Sequence, residues 1–89
     1  MPYLYVRHKV NDYGQWLKVF QSHEKERQEA SFSECQILRD TTDPNVVVCF
    51  LKVGNIAEAR AFTQTDDAAQ IAVEAGVVGT PEATWLEEL

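Results

Sequence analysis

The order in which periodicity changes along this chain limits its fold more than any motif does. Alternating apolar and polar residues give way to apolar residues at helical spacing. Two alternating stretches joined by a turn come next, then a second helical stretch and a short final alternating one. The order β-α-β-β-α-β within 89 residues predicts one α+β domain spanning residues 1–89, a four-stranded antiparallel sheet carrying its helices on one face. The other face of such a sheet has no cover within the chain, and a protein this short buries only roughly 60–65% of its unfolded surface. A partner subunit is therefore expected.

Tyr3 to Val10 alternates, with Leu4, Val6, His8 and Val10 on one face and Tyr3, Tyr5, Arg7 and Lys9 on the other. Asp12, with Gln15 three residues on, fits a helix start, and one helix is expected to run to about Ala30. Tyr13, Trp16, Leu17 and Phe20 form its apolar stripe, which continues through His23, Glu24 and Arg27. Phe32–Asp40 and Val46–Val53 read as a hairpin about Thr41-Thr42-Asp43-Pro44-Asn45. Its odd positions, Cys35, Ile37, Val47, Cys49, Leu51 and Val53, are assigned to the helices. The even ones (Glu34, Gln36, Leu38, Val46, Val48, Phe50 and Lys52) are assigned to a partner. Asn55 starts the second helix, with Ile56, Ala59 and Phe62 inward; Thr65-Asp66-Asp67 restarts it over Ala68–Ala75, and Gly76 ends it. Thr80-Pro81 is expected to open a last strand through Trp85 and Leu86, its proline marking an edge.

Eight Lys and Arg against fourteen Asp and Glu leave a net charge of −6, which repels phosphate backbones and anionic lipid, so neither nucleic acid nor membrane is expected as a partner. No apolar run approaches a membrane span and no leader pattern precedes the first strand, so a cytoplasmic protein is expected. With the turn centred near Thr42, Cys35 falls nearly opposite Cys49; in a reducing compartment the two read as small core residues. A redox role would need an exposed thiol of low pKa, and nothing in the sequence supplies one.

Leu4-Tyr5-Val6-Arg7-His8-Lys9-Val10, Asp12-Tyr13 with Trp16 and Phe20, His23 with Arg27, Arg39-Asp40 before Asp43-Pro44-Asn45, Ala59-Arg60-Ala61-Phe62, and Ala75-Gly76-Val77-Val78-Gly79 before Pro81-Glu82 together resemble the ferredoxin-like dimeric α/β-barrel proteins. That group includes antibiotic-biosynthesis monooxygenases, muconolactone isomerases and stress-responsive barrel proteins. The resemblance implies a homodimer joined sheet to sheet, with a ligand cavity between each sheet and its helices. It also implies chemistry without metal or flavin, and no cofactor is expected.

His23 and Arg27, four residues apart, share the helical face turned toward the sheet. They are the candidate catalytic pair, His23 as proton shuttle and Arg27 as the cation that orients a carboxylate, phenolate or enolate. The alternative is that both pair with acidic side chains at the rim. His8 is a candidate pocket group, and a third ligand that would make a metal site with the two histidines is missing. Trp16, Phe20 and Phe62 are candidate ligand-binding walls, drawn from an aromatic set that also contains Tyr13, Phe50 and Trp85. Three functions follow: a binder of a small aromatic or polyketide-like molecule, a cofactor-free monooxygenase or cyclase/isomerase, and a non-catalytic assembly or stress-related dimer.

Overall fold

Local side-chain chemistry sets each helix start. Asp12 accepts the backbone N–H of Gln15, Asn55 that of Glu58 and Thr65 that of Ala68, each at 3.1 Å. The computed structural model describes residues 1–89 except the side chain of Glu34, so the expected place of Glu34 on the open face lies outside the described residues. The elements are β1 (Tyr3–Val10), α1 (Tyr13–Ser22), α2 (Glu24–Glu29), β2 (Phe32–Arg39), β3 (Val46–Val53), α3 (Ile56–Thr63), α4 (Asp66–Glu74) and β4 (Val77–Leu86). The strands form one sheet in the order β2-β3-β1-β4, every neighbouring pair antiparallel, which is the ferredoxin-like arrangement expected. No described helix is long and apolar enough to cross a membrane.

Of the hairpin positions assigned to the helices, Val47, Cys49, Leu51 and Val53 are buried together with Leu4 and Val10, with Trp16 and Ala59 descending on them from α1 and α3, whereas Cys35 is exposed. The opposite face carries Tyr5 against Phe50, ring centres 5.5 Å apart, and Leu38 and Leu86 open to solvent.

Three local expectations are corrected. The first helix is not continuous: it breaks at His23. Ser22 Oγ donates to the Val19 carbonyl at 2.7 Å, and Phe20 O is taken by the Arg27 guanidinium and by the His23 N–H. The carbonyl that a continuing helix needs is thus already engaged. The last strand begins at Val77 rather than Thr80. Its register against β1 slips between Arg7 and Lys9, the slack taken up by Gly79–Pro81, with Gly79 at φ 72°. Pro81 sits at that irregularity on an edge strand, where its missing N–H costs no ladder bond. Finally, Cys35 lies opposite Leu51 while Ile37, two positions on, lies opposite Cys49, because the hairpin is centred at Asp43 rather than Thr42. A separate irregularity between Ser33 and Cys35 brings Phe32, opposite Val53, onto the covered face.

Candidate functional site

A cavity of about 510 Å³ lies between the sheet and the helices, and all six candidate residues line it. His8 belongs to the floor with Leu4 and Val6 of β1. Trp16, Phe20 and His23 come from α1 and its end, Arg27 from α2 and Phe62 from α3. The break at His23 has not separated the pair; both His23 and Arg27 still face the hollow.

The walls are flat groups in succession. The His8 ring lies 5.4 Å from Trp16, Trp16 stacks on Phe20 at 4.9 Å with 20° between the planes, and the Arg27 guanidinium carbon sits 3.6 Å from the Phe20 ring centre. Such a ladder presents ring faces and one cation to whatever occupies the space.

The polar groups differ in how they are satisfied. Both ring nitrogens of His8 are shielded and have no hydrogen-bond partner among the described residues, and burial pushes its pKa below the ordinary histidine value. The imidazole is therefore neutral, and because its nitrogens are closed off even from the hollow, an occupant meets the ring rather than a free donor or acceptor. Burial also lowers the pKa of Arg27, while Glu24 and Glu26 act on it only through space; among the described residues it forms no ion pair. An unpaired guanidinium beside an apolar hollow favours an anionic group there. His23 has Nδ1 3.5 Å from Glu26 and Nε2 3.7 Å from Glu74, and its buried Nδ1 makes no hydrogen bond among the described residues. Glu74, at the end of α4, is an acidic residue on another element of the kind the rim alternative anticipated.

Of the wider aromatic set, Trp85 lines the cavity, while Tyr13 stacks behind Trp16 under Arg39 and Phe50 sits on the other side of the sheet. Sequence reasoning missed the far wall, built by Ala68, Ala69, Ile71, Ala72 and Ala75 of α4. The available signal was the run of alanines on one helix, which leaves space where larger side chains would fill it. Pro81 and Ala83 line the cavity yet are exposed, so it opens to solvent along β4. Among the described residues no cluster of His, Cys, Asp or Glu is arranged to hold a metal.

No protein-family model matches the sequence, and no curated protein matches it. Solved structures do match its shape. One is an antibiotic biosynthesis monooxygenase, 15% identical, covering 100% of this chain and 99% of its own at a TM-score of 0.73. Another is SnoaB, a cofactor-independent oxygenase from Streptomyces nogalater, 14% identical, covering 99% of this chain and 92% of its own at 0.78. A third is a conserved protein from Methanosarcina mazei Go1, 8% identical, covering 99% and 92% at 0.74. At these identities the likeness shows the ferredoxin-like fold, and the fold by itself assigns no reaction.

Proposed function

We propose that this protein binds a small organic ring compound in the cavity between sheet and helices. In this reading it acts as one half of a homodimer joined through the open sheet face, in the cytoplasm. The observation that carries the reading is the convergence of His8, Trp16, Phe20, His23, Arg27 and Phe62 on one hollow of about 510 Å³, a volume on the scale of ligand pockets. The dimer rests on the uncovered side of the sheet, where Tyr5, Phe50, Leu38 and Leu86 make an apolar patch. Turnover is the second reading. It is favoured by Arg27, which forms no ion pair among the described residues and can hold an enolate or phenolate while His23 moves a proton, and by the likeness to a cofactor-independent oxygenase.

Native mass spectrometry of the purified protein, followed by titration with anilinonaphthalene sulfonate, an aromatic anion, tests the first reading. A dimer that takes up one dye per protomer, with binding lost in Arg27→Ala, is expected. A monomer at micromolar concentration, or dye binding indifferent to Arg27→Ala and Phe62→Ala, overturns it. Oxygen consumption with anthrone separates binder from enzyme: turnover lost in folded His23→Ala and Arg27→Ala supports catalysis, and equal rates in all three proteins remove it.

A further inference from the structure

The chain carries a net charge of −6, yet among the described residues lining the hollow none is acidic. The permanent charge in that lining is Arg27, laid on the Phe20 ring. A second guanidinium stands against a different wall. Arg60 of α3 is exposed, and its guanidinium carbon lies 5.2 Å from the ring centre of Trp85, within cation–π range. Trp85 is a half-buried wall residue, whereas Thr63, Ala69, Pro81 and Ala83 line the hollow while being exposed, so they mark its opening. Thr63 follows Arg60 by three residues and shares its side of α3, which puts Arg60 beside that opening. Among the described residues Arg60 has no ion-pair partner, and Glu58, the one acidic residue of α3, accepts a hydrogen bond from Ser31 at 2.6 Å.

We propose that Arg60 is a specificity-determining residue at the entrance of the hollow, drawing in ring compounds that carry a carboxylate or sulfonate ahead of neutral rings of the same shape. The inference rests on the reading that the hollow binds a ring compound.

A surface at −6 repels an approaching anion, and only a local reversal of sign lets one reach the opening quickly. An exposed guanidinium supplies that reversal over about one Debye length, roughly 10 Å at 0.1 M salt. Lying on Trp85, it is held at one place by its flat face and keeps its N–H edge free for an anion, which a mobile ammonium would not do as well. The two arginines then divide the work. An exposed charge outside a binding site changes chiefly the rate of association. Arg27, inside the lining, acts on the anion once it is bound.

Stopped-flow mixing with anilinonaphthalene sulfonate, and with N-phenyl-1-naphthylamine, the same ring system without the sulfonate, tests the assignment. The signal counted is the part that Ala72→Leu removes, so dye held elsewhere on the surface does not enter. Arg60→Gln should slow association of the anionic dye about threefold at low salt, the effect of one unit charge about 7 Å away in water. Arg60→Glu reverses the charge and should slow it roughly sevenfold by the same arithmetic. Arg60→Lys should stay within about a factor of two of wild type, since the charge is kept. The neutral dye should enter all four proteins at one rate, and in about 0.5 M salt the rates for the anionic dye should converge. Association of the anionic dye at the wild-type rate in Arg60→Gln overturns the proposal. So does a slowing that the neutral dye shares, which would make Arg60 a prop for Trp85 and no selector of charge. Either result with both dyes still bound leaves the ring-binding reading standing, whereas a wild-type protein that takes up neither dye removes both.

Discussion

The two flanks of this sheet are filled in opposite ways. Around β3 the covered face is the more closely packed, with Val47 and Val53 fully shielded and Phe32 edge-on against Phe62 at 6.3 Å, although Cys49 and Leu51 border the hollow. Along β4 every residue from Val78 to Thr84 is exposed, and the helix facing that side contributes mostly methyl groups. Both flanks use the same strand alternation and the same amphipathic helices. What separates them is side-chain volume: α1 brings Trp16 and Phe20, whereas α4 brings Ala68, Ala69, Ala72 and Ala75. A domain of this size with little stability to spare would be expected to close such a gap. That it stays open, with His23 and Arg27 on its wall, links a packing decision in α4 to the candidate ligand site.

The contrast is broken most severely by removing a ring from the solid flank. Phe32→Ala should cost about 3–5 kcal/mol, the usual range for a closely surrounded aromatic. Trp16→Ala deletes a larger side chain, only 3% exposed, but one of its sides already borders the hollow. Its cost is expected at the lower end, about 3 kcal/mol, since part of the space it leaves joins a cavity that exists beforehand. Urea unfolding of both variants decides the matter: a Trp16→Ala loss clearly exceeding that of Phe32→Ala would mean the two flanks are equally packed.

Filling the hollow gives a smaller effect on stability and a large one on binding. Ala72→Leu places three more carbons into open space rather than into packed neighbours, so stability should stay within about 1 kcal/mol of wild type. Binding of anilinonaphthalene sulfonate should be lost at the same time. A strongly destabilised Ala72→Leu would show that α4 already packs closely over the sheet.

The solid flank was the more legible of the two in the sequence. Alternation in β1 and β3 fixed which side chains face inward, and period four in α1 brought His23 and Arg27 to the cavity despite the break between them. The break itself depends on a competition for the Phe20 carbonyl, which no periodicity records. The irregularity in β2 escaped for a related reason: one extra residue exchanges the two faces of everything before it. Cys35 and Phe32 consequently share a face, whereas Cys35 meets Leu51 rather than Cys49 because the hairpin is centred at Asp43, one position later than the turn residues suggest. The early start of β4 depends on Gly79 taking a positive φ, which allows pairing on both sides of a proline. The hollow flank was least legible because alanines read as good helix formers whether or not anything packs on them.

The smallest expected effect concerns His8, whose strand position opposite Val47 faces the register slip of β4 on its other side. Burial holds its folded pKa below the ordinary value of 6.5. As pH falls through that value, the unfolded chain takes up a proton that the folded protein does not, so stability is full above about pH 6.5 and declines below it. His8→Leu removes the proton-binding site from both states and should therefore flatten part of the loss in melting temperature between about pH 7.5 and 5.5. A His8→Leu protein with an unchanged acid-side slope would mean that the His8 ring is in contact with water in the folded protein and not held neutral beside Trp16.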